Sequence, residues 1–178
     1  EIDGTSQSPG RSAGPKIIID GSNLTAGNGF EISSSGNIIR GMGIIGFKSL
    51  FIELRGNGVY IDGPTAYTAG RTANNNTITQ SWIGLSAAGT GSPNESYGVY
   101  VRNASNTQIT NNVISSNLKA AVYISSISAH TEATGNTIAD NIIGTTSDGS
   151  AAISGGNPAD GIFLYNRSTN TSILRNLI

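Results

Sequence analysis

Asn76-Thr77-Ile78, followed by Trp82-Ile83-Gly84, decides the fold because the chain repeats the phrase. Asn106-Thr107-Gln108-Ile109 leads to Val113-Ile114-Ser115, and Asn136-Thr137-Ile138 leads to Ile142-Ile143-Gly144. Asn170-Thr171-Ser172-Ile173 leads to Leu177-Ile178, and Asn37-Ile38-Ile39 leads to Ile44-Ile45-Gly46. In each of the five copies two isoleucines stand five residues apart behind an asparagine. Repetition at a few tens of residues marks a solenoid, whose units bury their apolar sides only by stacking on one another.

A second phrase precedes each of the first. It reads Gly29-Phe30-Glu31-Ile32, Gly58-Val59-Tyr60-Ile61, Gly98-Val99-Tyr100-Val101, Ala121-Val122-Tyr123-Ile124 and Gly161-Ile162-Phe163-Leu164. The order is constant: a Gly-led strand, a turn, an Asn-led strand, a bend, and a strand ending in isoleucine. Alternation puts Val59 with Ile61, and Val99 with Val101, on one face. Ile78 with Ile83 and Ile138 with Ile143 fill the other walls. The expected fold is all-β, a single-stranded parallel β-helix of about five to seven coils with three short strands each. Residues 1–178 are read as one such domain, a segment of a longer array.

Composition agrees. At 178 residues with 37% apolar content the chain can form a core, and 24 glycines and 19 asparagines supply the positive-φ turns that short strands require. Charged residues make up 12%, 10 basic against 11 acidic, a dispersed balance that offers no footprint for nucleic acid. No stretch has the length of a membrane-spanning apolar helix. The absence of cysteine excludes disulfide frameworks, thiolate zinc sites and thiol catalysis. Gly84-Leu85-Ser86-Ala87-Ala88-Gly89-Thr90 aligns with Gly144-Thr145-Thr146-Ser147-Asp148-Gly149-Ser150, whereas Ser115 to Ala121 is short, so long and short loops are expected to alternate at one corner.

With these repeats, Ile2-Asp3-Gly4-Thr5-Ser6-Gln7, Ile18-Ile19-Asp20-Gly21-Ser22-Asn23 and the Ile143-Gly144-Thr145…Asp148-Gly149 loop, the chain resembles the right-handed parallel β-helix repeat proteins. This is the broad pectin-lyase-like class that includes the carbohydrate-binding and NosD-type repeats, with bacterial secreted and surface repeat proteins among them. The resemblance implies a right-handed coil. It leaves function open, because the superfold hosts lyases, hydrolases, epimerases, adhesins and phage spikes.

Enzymatic members of the class carry clustered carboxylates and basic residues, with Ca²⁺ in the lyases. Here the acids are scattered. Asp62 and Arg102 form the best polar pair, at one outward position on consecutive Gly-led strands and expected as a surface ion pair; Asp140 and Arg175 form a similar one. His130, the only histidine, sits in a Ser-rich loop without an acid partner. Tyr60, Tyr100, Tyr123 and Phe163 share one outward position, extended by Tyr165, with Glu31 in the same place at the first coil. Such a stripe is a platform for sugar rings or for another chain, or else a brace covered by corner loops. Asn76, Asn106, Asn136 and Asn170 are expected to stack as a structural ladder. Six Asn-x-Ser/Thr sequons occur, at Asn23, Asn75, Asn94, Asn103, Asn166 and Asn170.

These readings favour a non-catalytic structural or adhesive module, secreted or at the cell surface, self-association into fibres being one form of it. The alternative is a polysaccharide lyase, glycoside hydrolase or carbohydrate-binding β-helix. Expected partners are the chain itself or adjoining β-helix segments at both ends, and polysaccharide in the alternative; no nucleic acid and no membrane insertion are expected. No cofactor or metal is expected, Ca²⁺ entering only with the lyase alternative.

Overall fold

The computed structural model describes residues 1–8, 14–50, 54–65, 68, 70–127 and 131–178. His130 lies outside the described residues. Among those residues there are short strands and no helix. One face of the coil is built from β1 (Ile2–Asp3), β4 (Ile38–Arg40), β7 (Thr77–Thr79), β10 (Gln108–Thr110), β14 (Thr137–Ala139) and β18 (Ser172–Leu174). A second holds β2 (Ile17–Asp20), β5 (Met42–Ile45), β8 (Trp82–Ile83), β11 (Val113–Ile114) and β15 (Ile142–Ile143). The third holds β3 (Phe30–Ile32), β6 (Val59–Asp62), β9 (Val99–Arg102), β12 (Val122–Ser126) and β16 (Ile162–Asn166). A short pair, β13 (Ala133–Thr134) and β17 (Ser168–Thr169), flanks the third. Every strand pairing is parallel, so the molecule is a parallel β-helix.

Register piles like residues into columns. On the first face Ile2, Ile39, Ile78, Ile109, Ile138 and Ile173 are successive partners. On the second, Ile19, Ile44, Ile83, Ile114 and Ile143 do the same. The third face contributes two columns, Val59-Val99-Val122-Ile162 and Ile61-Val101-Ile124-Leu164. These mostly β-branched side chains fit the pleat and meet from three directions, which buries the aliphatics of all four columns through the middle coils.

The invariant five-residue spacing of isoleucines has a local cause. Between the first and second faces the chain turns on one residue in the left-handed region: Gly41, Gln80, Asn111, Asp140 and Arg175, with φ between 52 and 67°. The next residue closes the corner. Asn141 Oδ1 accepts from the backbone N–H of Asn112 (2.9 Å) and from its side-chain amide (3.0 Å), and Asn176 does the same for Asn141 (3.0 and 2.9 Å). Asn112 in turn accepts from Ser81 N–H at 3.0 Å, and each amide also donates to a carbonyl of the coil behind. This ladder leaves no room for insertion at that corner.

The ladder expected from Asn76, Asn106, Asn136 and Asn170 splits into two columns. Strand register is set by the inward isoleucines, and counting back from Ile109 puts Thr107, not Asn106, beside Asn76. Asn76 and Asn136 carry the ladder, accepting from Asn37 N–H and Thr107 N–H at 2.8 Å each. Asn106 and Asn170 belong instead to a positive-φ column with Gly36, Asn75 and Gly135. A further stack, Asn94-Asn117-Asn157, closes the corner before the third face. Long segments enter at that corner as expected, but also after the third face, where 14 residues separate Asp62 from Thr77 and only five separate Arg102 from Gln108.

Candidate functional site

The outer surface of the third face carries most of the side chains singled out above. Strand alternation turns Val59 and Ile61 inward and Tyr60 and Asp62 outward. Parallel register then stacks Glu31, Tyr60, Tyr100, Tyr123 and Phe163 in one column, and Asp62, Arg102, Ser125 and Tyr165 in the next.

The aromatic column is continuous. Ring centroids lie 5.2 Å apart for Tyr60–Tyr100, 4.8 Å for Tyr100–Tyr123 and 5.1 Å for Tyr123–Phe163, and Tyr165 sits 5.8 Å from Phe163. Most of it is not an open surface. Tyr97, from the corner segment before β9, lays its ring 5.3 Å from Tyr100 and 4.6 Å from Tyr123, while Ala120 and Leu54 pack alongside. Tyr60, Tyr100 and Tyr123 are therefore buried, and Lys119 caps Tyr97 with its Nζ 5.2 Å from the ring centroid. Only Phe163 and Tyr165, 39% and 49% exposed, remain as a surface pair.

Asp62 and Arg102 are direct cross-strand partners. They are buried at 3% and 9% exposure, not the solvated surface pair that the sequence suggested. Arg102 donates from Nε (2.8 Å) and Nη2 (2.6 Å) to Asp62 Oδ1, and Arg71 Nη1 takes Oδ2. The Arg102 guanidinium also lies 5.4 Å over the Tyr60 ring. Burial pushes the Tyr60 phenol far above its ordinary range; Arg102 opposes that shift and Asp62 adds to it.

Away from this face, Arg175 grips Asp140 with two bonds of 2.7 and 2.8 Å on the exposed first corner. The hydrogen bonds from Arg175 hold the Asp140 carboxyl below the usual carboxylate range. Among the sequons, Asn94 and Asn103 are buried, whereas Asn23, Asn75, Asn166 and Asn170 are exposed. Among the described residues no three histidine or carboxylate side chains converge on a point where a metal ion would be held.

The asparagine ladders at the corner between the first and second faces and at the corner before the third face were not anticipated. Their signal was present, in an asparagine two residues before the second isoleucine (Asn112, Asn141, Asn176) and five before the third-face strand (Asn94, Asn117, Asn157). A family model described as right handed beta helix region matches residues 10–178 of this chain. No curated protein and no solved structure matches it.

Proposed function

The chain belongs to the right-handed β-helix family, and from that premise we propose that it is a non-catalytic structural module, a stiff rod in an extracellular or cell-surface protein. The observation that carries this reading is the continuity of its columns. Aliphatic stacks run along all three faces and asparagine stacks along the corners, so each coil is fastened to the next on every side. On the third face the ionisable groups that an enzyme would need free are committed to each other, Asp62 to Arg102 and Arg71. Stacking on an adjoining β-helix segment or on another copy would extend the same columns.

Electron microscopy and sedimentation of the purified chain over a concentration series test this reading. End-to-end oligomers that lengthen with concentration are expected. Monomers at every concentration would remove the self-associating form, and release of products from a panel of acidic polysaccharides would overturn the non-catalytic assignment. A second reading, sugar binding, is favoured by the exposed Phe163–Tyr165 pair, whose rings offer an apolar face next to solvent. Loss of glycan-array binding in Tyr165→Ala, with an unchanged melting temperature, would support it.

A further inference from the structure

The one tryptophan of the chain belongs to none of the columns described so far. Trp82 points outward from the second face, because Ile83 beside it is turned into the core. Its register partner in the preceding coil is Gly43, so no side chain competes for the space over that strand. Gly14 holds the indole from outside: a Cβ there would lie 2.7 Å from Cη2 of the six-membered ring. The indole N–H has no hydrogen-bond partner among the described residues and is not sealed from solvent.

Trp82 is one wall of a cleft of about 310 Å³ at the corner between the first and second faces, lined also by Thr5, Lys16, Gly41 and Gln80, and by no carboxylate. Lys16 is half-buried. Its Nζ donates once, to the Gln7 carbonyl at 2.6 Å, and meets no carboxylate among the described residues, which leaves two N–H groups and the charge unmatched. Gln80 stands on the positive-φ corner, exposed, and its side-chain amide makes no hydrogen bond among the described residues. The acid next to the lining in sequence, Asp3, is taken up by the Thr5 hydroxyl at 2.6 Å and by Arg40 at 3.3 Å. The cleft thus combines a flat apolar wall, one uncompensated positive charge and an idle amide.

We propose that this cleft takes a carboxylic acid carried on a flat aromatic ring, the ring lying on the indole and the carboxylate accepting from Lys16 Nζ and the Gln80 amide. An ammonium without a counter-charge favours an anion, and a planar wall favours a planar ring. A neutral ring would leave the charge of Lys16 unmet. A small anion without a ring would leave the indole bare.

A single tryptophan gives the isotope-labelled chain one indole cross-peak in a nitrogen–proton correlation spectrum, a reporter that sits in the cleft. Titration of the full chain with benzoate, benzyl alcohol and acetate tests the assignment, with Lys16→Gln and Gln80→Gly as variants. Benzoate is expected to move that peak saturably, at concentrations about tenfold or more below those needed for the other two. Lys16→Gln should weaken benzoate by about three- to tenfold, as loss of a half-exposed ion pair requires, and leave benzyl alcohol unchanged. Gln80→Gly should weaken benzoate by about two- to fivefold. Its melting temperature should stay level or rise, because the φ of 52° at this position suits glycine, which Gly41 already supplies one coil earlier. The proposal fails if benzoate leaves the indole peak in place, if acetate or benzyl alcohol moves it at the same concentrations, or if Lys16→Gln binds benzoate with unchanged affinity. Where Lys16→Gln fails to fold, unchanged benzoate affinity in Gln80→Gly overturns the proposal and weakened affinity supports it. None of these outcomes bears on whether the rod is catalytic or self-associating.

Discussion

The two sides of the third sheet are both buried, and by different means. Inside, Val59, Ile61, Val99, Val101, Val122 and Ile124 are sealed by isoleucines of the other two faces, which the repeat itself supplies. Outside, Tyr60, Tyr100 and Tyr123 are sealed by Tyr97, Ala120 and Leu54, which come from segments inserted between repeats. The inner layer is therefore a property of every coil, and the outer one a property of particular neighbours. Where those neighbours stop, the column surfaces at Phe163.

Truncation inside should do the most damage. Ile109→Ala, at a fully enclosed position in the middle of its column, is expected to destabilise by about 3–5 kcal/mol, read from the urea unfolding midpoint. Tyr100→Ala should cost less, about 2–4 kcal/mol, because the covering segment can settle into part of the space left. An equal or larger loss at Tyr100 would make the outer layer as integral as the inner. Asn141→Ala tests the corner between faces: it strips the acceptor from the Asn112 N–H and amide and the donor from the Ile109 carbonyl. A loss of about 2–3 kcal/mol follows from leaving such groups buried and unpaired. The smallest effect belongs to an exposed corner loop. The Thr146 hydroxyl, with the Ser150 N–H and hydroxyl, pulls the Asp148 carboxyl well below the usual carboxylate range, to about 2. Its folded pKa is depressed, so its contribution is complete above about pH 4 and disappears as pH falls through about 2. Asp148→Asn should flatten the stability profile between those values, and an unchanged slope would mean that the loop is not ordered in solution.

The same division governs what was readable from sequence. The inner columns follow from periodicity alone, since Ile78, Ile109 and Ile138 announce their own register. The asparagine alignment slipped at Asn106 and Asn170 because an extra residue, Gln108 or Ser172, stands before the isoleucine, and packing of the isoleucine outranks alignment of the polar residue. Outward placement of Tyr60 and Arg102 was legible from alternation, and a stripe covered by corner loops was one of the readings left open, but the sequence did not decide that burial. It depends on Tyr97 and Leu54 folding back over the sheet, a non-local event with no period to betray it. The pairing of Asp62 with Arg102 was visible, whereas its second cation, Arg71, lies outside the repeat.

The antiparallel bridges Leu85–Gly91 and Thr145–Ala152 pinch two of the long corner segments at their bases. Each segment then closes on itself, through Ser86 and Thr90 in one and Thr146 and Ala151 in the other, while axial pitch stays fixed by strand spacing at about 4.8 Å per coil. Residues such as Ala87 and Ala88, exposed at the tip of the first segment, can thus be exchanged without moving the coils above or below. One edge of the molecule behaves as a ruler whose graduations are constant and whose labels are interchangeable.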